Sequence, residues 1–221
     1  MVYWQIIHDY HEAIARGLWM TMKLCFVIWS VGLVAGALLG IASVKWKVAI
    51  GVPFRVAGFV LSGIPILVLL FWLHYPLQSI LSIVINPFYT ASAALALVNT
   101  FLVADVVRNT LRDFPAQYLT AARVCGLSAR ETVLRIQLPI TLRQMLPALL
   151  LIQVTMLQST LFASLISVDE IFRVAQQINA AIYRPVEVYT TLGVFFLIIC
   201  LPLNGFALWL RARFTRDLSE V

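Results

Sequence analysis

Five long runs of apolar residues follow one another along the chain, and segments rich in charged or turn-forming residues separate them. The runs cover residues 17–44, 56–75, 88–107, 145–168 and 188–210. A hydrocarbon core of about 30 Å is crossed by roughly 20 helical residues at about 1.5 Å per residue. Each run is long enough to span a membrane. The pattern therefore predicts an all-α polytopic membrane protein with five transmembrane helices.

The composition agrees with this prediction and excludes several other classes of protein. Of the 221 residues, 62% are hydrophobic and only 12% are charged, and the mean hydropathy is +0.93. A soluble domain usually has about 25% charged residues, so an ordinary cytosolic enzyme, a disordered tail and a disulfide-stapled secreted module are excluded. The three cysteines are widely spaced along the sequence and indicate neither a disulfide framework nor a metal site. We expect one membrane domain over 1–221.

The distribution of positive charge predicts the orientation in the membrane. Twelve of the 16 lysines and arginines fall in 45–55, 108–143 and 211–221, and cytoplasmic loops collect these residues. We therefore expect an outer N-terminus, a cytoplasmic C-terminus and a cytoplasmic loop over 108–143. The net charge of +6 is explained by this asymmetry, so no nucleic-acid partner is expected. A cysteine at Glu170 should react with an outside probe, and one at Glu131 only after permeabilisation.

The loop over 108–143 has the local signals of two short helices joined by a sharp corner. We expect the first helix to start from Asp113, to cover 117–125 and to end at Gly126 in a left-handed cap. Ser128 with a glutamate three residues later predicts a capping box, and Pro139 is expected to end the second helix. From the residues alone, a corner on lipid headgroups and a docking site for a soluble partner are equally supported.

The residues of this loop also keep the spacing of a known motif. Ala121, Ala122, Gly126 and 136–139 match the pattern A-A-x3-G-x9-I-x-L-P, and Thr120 stands where that motif has glutamate. The loop therefore resembles the EAA loop of permease subunits of binding-protein-dependent ABC importers. Four more segments resemble the polar amino acid branch of that family, in the expected order: 62–67, 105–115, 157–161 and 184–189.

The resemblance implies a type I ABC importer permease fold and a heteromeric assembly in the bacterial inner membrane. The implied partners are membrane lipid, a second permease subunit (a paralogue in preference to a second copy), two ATPase subunits and an outer substrate-binding protein. ATP and Mg²⁺ would be used by the ATPase, because the chain has no Walker A motif; we expect no cofactor or metal on this chain, and no enzymatic activity. The implied ATPase-coupling residues are Thr120, Ala121, Ala122, Arg123, Gly126, Leu127 and Ser128.

Polar residues inside the apolar runs are candidates for the substrate path, since polar groups are costly in hydrocarbon. The candidates are Asn99, Gln153, Gln158, Ser159 and Thr160. The alternative is that these side chains fasten helices together, at about 0.6–2 kcal/mol per hydrogen bond. For Gln158, Ser159 and Thr160 the two interpretations have equal weight, whereas Asn99 is a weaker candidate for the path.

Two local pairs of residues predict further features of the spans. Gly63 and Pro65 should bend or unwind the second run, and a plain kink is an equal alternative. Asp105 lies one helical turn before Arg108, which predicts a local ion pair at the inner interface.

Two other classes of function compete with the importer subunit. A secondary transporter or channel would need inverted repeats or buried ionisable residues, and the two halves of this sequence are not alike. A membrane scaffold or sensor without transport would use the basic loop only as a dock. Testing whether the complex contains an ATPase, and whether uptake requires ATP, distinguishes the importer subunit, the secondary transporter or channel, and the scaffold.

Overall fold

The computed structural model describes the backbone of residues 2–219 and the side chains of residues 4–214. Within that part of the chain all regular secondary structure is helical, which confirms the predicted all-α class. Helices long and apolar enough to cross a membrane cover His11–Lys45, Pro87–Arg112, Ala129–Ile166 and Pro185–Phe214, and a bent pair of shorter helices makes a fifth candidate. Three of the five predicted runs lie within these segments, the run 145–168 extends two residues past Ile166, and the run 56–75 crosses the break between Ser62 and Ile66.

The helices follow the order of the apolar runs. They are α1 Val2–Asp9, α2 His11–Lys45, α3 Val52–Ser62, α4 Ile66–His74, α5 Pro76–Leu81, α6 Pro87–Arg112, α7 Ala116–Val124, α8 Ala129–Thr132, α9 Leu138–Ser159, α10 Ile171–Ile182 and α11 Pro185–Ser219. Two π-helical segments, Lys47–Gly51 and Val133–Gln137, precede α3 and α9, and the 3₁₀ segment Thr160–Ile166 follows α9.

The main apolar core lies between α2, α4, α6 and α9. Its fully buried side chains include Leu24 and Ile28 from α2, Leu70 from α4, Leu95 from α6 and Met156 from α9. These long side chains come from four helices that are distant in the sequence. The core therefore holds the candidate functional residues of α6 and α9 against α2.

A row of glycines lets α2 approach α6 closely. Gly32, Gly36 and Gly40 recur every four residues and therefore share one face of the helix. A Cβ atom at Gly36 would lie 2.6 Å from the Cβ of Val103, and one at Gly40 would lie 2.8 Å from the carbonyl oxygen of Ala104. Small residues at such positions allow two membrane helices to come into backbone contact.

The second apolar run forms a corner. The helical stretch Lys47–Ser62 and the stretch Ile66–Leu81 meet at 95°. The chain turns at Pro65, whose φ of −57° and ψ of 135° are extended. Proline also disfavours a helical conformation at the residue before it, Ile64. The unwound form is therefore the one observed at Gly63 and Pro65, in place of a plain kink.

Two predicted helix boundaries in the 108–143 loop are wrong. Asp113 does not start a helix: its N–H donates to the carbonyl of Asn109 at 2.9 Å, so it ends α6, and α7 follows Pro115. Pro139 does not end a helix either, since it lies in the first turn of α9, where its missing N–H is tolerated. The π segment before it joins α8 to α9.

Candidate functional site

Helix α7 ends in a left-handed cap at Gly126, as the sequence predicted. The φ of Gly126 is +74°, in a region that favours glycine. The N–H of Leu127 donates to the carbonyl of Ala122 at 3.0 Å, and the N–H of Gly126 donates to that of Arg123 at 3.0 Å. This pair of bonds is a Schellman motif, and it turns the chain sharply at the end of α7.

The side chains of α7 leave one face of the helix open. Ala122 is buried, whereas Thr120, Ala121 and Arg123 are exposed. Val124 is 84% exposed, although it is apolar. The small size of Ala121 permits close approach of another protein, and the methyl groups of Val124 offer apolar surface to it. The motif spacing did not single out Val124, because its exposure depends on how α7 packs.

Ser128 forms the predicted capping box directly after the corner. Its Oγ accepts from the N–H of Glu131 at 3.3 Å, and its own N–H donates to Oε2 of Glu131 at 3.1 Å. Glu131 also lies 3.7 Å from Arg135. This confirmed feature fixes where the helical rod Ala129–Ile166 begins. Ser128 lies two residues after Gly126, so the corner leads directly into the start of that rod.

Asn99 and Gln153 contact each other inside the subunit. Asn99 is fully buried and its Nδ2 donates to Oε1 of Gln153 at 3.0 Å and to the carbonyl of Ile28 at 2.9 Å. Nε2 of Gln153 donates back to Oδ1 of Asn99 at 3.3 Å. These bonds join α2, α6 and α9. For this pair the geometry favours helix fastening over contact with a substrate.

The remaining path candidates fall into two groups. The hydroxyls of Ser159 and Thr160 are buried and donate to carbonyls of their own helical segment, at 2.9 and 2.7 Å. Gln158, in contrast, is exposed, and so is Thr155 one turn before it. The spacing of Thr155 from Gln158 places both on one face of the helix, although the sequence alone did not indicate Thr155. Within residues 153–160, only this pair is exposed at the subunit surface.

The predicted ion pair at the end of α6 is present. Nη1 of Arg108 lies 3.3 Å from Oδ1 of Asp105, and Nδ2 of Asn109 donates to Oδ2 of Asp105 at 3.0 Å. Asp105 therefore has local partners on its own helix. This geometry favours a structural role for it.

Glu170 was expected at the outer surface, but the structure places it in the protein interior. Its side chain is fully buried and caps α10, accepting from the backbone N–H groups of Phe172 and Arg173 at 2.9 and 2.8 Å. Burial raises the pKa of this carboxyl to about 7, although the two hydrogen bonds act in the opposite direction. The expectation that a probe reaches residue 170 is therefore wrong, whereas Asp169 beside it has a side chain 66% exposed.

Comparison with known sequences gives consistent matches over most of the chain. The family described as binding-protein-dependent transport system inner membrane component matches residues 32–216. The octopine transport system permease protein OccM of Rhizobium meliloti is 31% identical, over 94% of this chain and 92% of its own length. The glutamine transport system permease protein GlnP of Escherichia coli K12 is 28% identical, over 91% and 92%.

Two solved structures share the fold. A chain of an amino acid ABC transporter crystallised with histidines superimposes with a TM-score of 0.79 at 24% identity, covering 94% of this chain and 96% of its own. A chain of the methionine ABC transporter MetNI in an inward-facing conformation gives a TM-score of 0.72 at 18% identity, covering 93% and 98%. The overall arrangement of the helices is thus a fold that other proteins share.

Proposed function

We propose that this chain, which belongs to the family of binding-protein-dependent transport system inner membrane components, is the permease subunit of an ATP-driven importer for an amino acid or amino-acid derivative. The observation that supports this best is the exposed face of α7 with its Schellman corner at Gly126. A short exposed helix joined rigidly to a membrane-crossing rod is suited to transmit motion from a soluble partner to the membrane.

The proposed assembly contains two permease subunits, two ATPase subunits and an outer substrate-binding protein. The second permease is a paralogue of this chain, and the alternative is a second copy of this chain. Mass spectrometry of the intact complex distinguishes the two. The ATPase subunits bind and hydrolyse ATP with Mg²⁺, and this chain holds no cofactor. The basic residues of the 45–55, 108–143 and 211–221 segments support a cytoplasmic C-terminus and an outer N-terminus in the bacterial inner membrane.

The proposed path runs along the exposed face of α9. Thr155 and Gln158 are exposed there, and Phe162 and Leu165 continue the same face into the 3₁₀ segment. An amide exposed to lipid in the membrane interior would be costly. We therefore infer that Gln158 faces either the second permease or a water-filled path, and not lipid. An uncharged amide offers hydrogen bonds to the solute and no counter-charge.

The substrate class follows from the relatives. OccM and GlnP are permease proteins for octopine and glutamine, and a Bacillus subtilis relative, TcyB, is a permease protein for L-cystine. All three solutes are amino acids or derivatives of amino acids. We propose a solute of this class.

Uptake by the purified complex in proteoliposomes tests the proposed function. Labelled octopine, glutamine and cystine are supplied with a binding protein outside, and ATP with Mg²⁺ is enclosed or omitted. We expect accumulation of one solute only when ATP is enclosed. Accumulation driven by an ion gradient without ATP would indicate a secondary transporter, and a complex without an ATPase subunit and without uptake would indicate a scaffold.

A further inference from the structure

Four positively charged side chains surround a cavity at one end of the α2–α6 pair. The cavity has a volume of about 250 Å³. Lys47 from the π segment, Arg55 from α3, and Arg108 and Arg112 from α6 line it together with Ser43 of α2. Neither Gln158 nor any residue of α7 lines this cavity, so neither proposed role accounts for it.

Three of the four charges around this cavity have no carboxylate partner among the residues whose side chains are described. Arg108 has a carboxylate partner, Asp105, at 3.3 Å. Among the residues whose side chains are described, no carboxylate oxygen lies within 4.0 Å of Lys47, Arg55 or Arg112. Like charges held near one another repel, and because Lys47, Arg55 and Arg112 are exposed, water weakens this repulsion without removing it. An anion in the cavity would remove this cost.

Local backbone packing builds the cavity. A Cβ atom at Gly51 would lie 2.7 Å from the carbonyl oxygen of Ser43, so only glycine lets the π segment approach α2 this closely. Arg55 reaches back along its own helix, and its Nε donates to the carbonyl of Gly51 at 3.3 Å. The cavity is slightly smaller than the roughly 300–1,000 Å³ of pockets for drug-sized ligands, and it therefore suits a small anionic group.

An apolar strip, called the α3 strip, begins in the π segment at Val48 and continues along α3 directly beside the basic cavity. Val48, Val52, Val56 and Phe59 recur at helical spacing and are 80%, 41%, 59% and 81% exposed. A basic cavity continuous with an exposed apolar strip matches a molecule with an anionic head and hydrocarbon chains. A dissolved anion would make no use of the strip.

We propose that this cavity binds the phosphate group of an anionic phospholipid, with Lys47, Arg55 and Arg112 contacting the phosphate oxygens and a hydrocarbon chain lying on the α3 strip. Basic pockets between membrane helices are known to bind anionic headgroups, and arginine is well suited to the oxygens of phosphate. The proposal does not depend on the transport function. Inorganic phosphate carries the same group, so the experiment compares the two sources.

Thermal stability of the purified complex in detergent measures the binding. Short-chain phosphatidylglycerol, short-chain phosphatidylcholine and inorganic phosphate are titrated separately, and the rise in Tm is recorded. The variants are Lys47→Gln, Arg112→Gln and the double variant. Lys45→Gln is the matched control, because Lys45 is two residues from Lys47 but lies over the Trp46 ring and does not line the cavity.

We expect phosphatidylglycerol to raise the Tm of the wild-type complex, and the double variant to need at least tenfold more lipid for the same rise. Lys45→Gln should respond like the wild type. Equal loss in Lys45→Gln, or an unchanged response in the double variant, would overturn the proposal. A rise with inorganic phosphate that the double variant abolishes would assign the cavity to dissolved phosphate and overturn the lipid assignment. Phosphate bound by the ATPase subunits affects all variants equally and cancels in the comparison.

Discussion

Gly126 is the residue on which the geometry of the α7 corner depends most directly. Its φ of +74° is accessible to glycine and, at a modest cost, to asparagine, whereas a β-branched residue is strained there. We expect Gly126→Val to cost about 1 kcal/mol or more and to abolish uptake and the stimulation of ATP hydrolysis by the loaded binding protein. Gly126→Asn, the matched control, should retain most of both activities. Normal uptake by the valine variant would contradict the coupling role.

The polar residues of α9 have two different roles: Gln153 holds helices together, and Gln158 faces the proposed path. Two variants distinguish these roles. Gln153→Ala leaves buried Asn99 short of a partner, which costs about 1–3 kcal/mol, so the Tm should fall before uptake does. Gln158→Ala removes an exposed side chain, and uptake or solute preference should change at unchanged Tm. Thr160→Val serves as a control, because its hydroxyl bonds only to its own helical segment. If Gln158→Ala transports normally, this face does not line the path.

The raised pKa of the Glu170 carboxyl predicts that the stability of the folded protein depends on pH. Its pKa is raised to about 7 in the folded protein from 4.5, so the folded state holds the proton more tightly than the unfolded one. The associated stability is complete below about pH 4.5 and is lost as the pH rises through 7, by on the order of 3 kcal/mol. We expect the Tm to fall between pH 5 and pH 8. In Glu170→Gln this part of the fall should be absent, and an unchanged pH profile would contradict the assignment.

At the scale of elements, the glycine face of α2 predicts a contrast between two similar substitutions. A Cβ at Gly36 meets Val103, whereas one at Gly193 meets nothing within 4 Å among the described residues. Gly36→Ala should destabilise by about 1–3 kcal/mol through overpacking. Gly193→Ala should be neutral or stabilise by up to about 1 kcal/mol through helix propensity. Tm values of the two purified variants check this, and equal values would show that α2 and α6 are not tightly packed.

In the loop helices, some boundaries are determined by local sequence signals and others by tertiary packing. Gly126 and the Ser128 capping box involve residues within five positions of one another, so the sequence predicted both correctly. The end expected at Pro139 was wrong because a proline is compatible with a first turn as well as with a stop. Only the packing of α9 into the membrane domain decides that the helix continues through it.

At the scale of the whole molecule, one exposed and two buried cysteines provide a test of the proposed orientation in the membrane. Cys125 is exposed, while Cys25 and Cys200 are buried together in one apolar cluster. An impermeant thiol reagent should label Cys125 only after permeabilisation. In a Cys125→Ser background, Asp169→Cys should be labelled in intact cells, and the buried Glu170→Cys serves as the matched control with little labelling. Labelling of Cys125 in intact cells would reverse the orientation.

Hydrophobic periodicity and charge by themselves determined the class of this protein, its apolar runs, and the corner at Gly126, because burial in lipid and local hydrogen bonding act on residues close together in sequence. The tertiary structure alone decided that Asn99 reaches Gln153, 54 positions away, that Gln158 is exposed while Thr160 is not, and that Glu170 is buried. It also brought Lys47 and Arg55 beside Arg112. These contacts join different helices, and their relative positions follow from packing that no local pattern encodes.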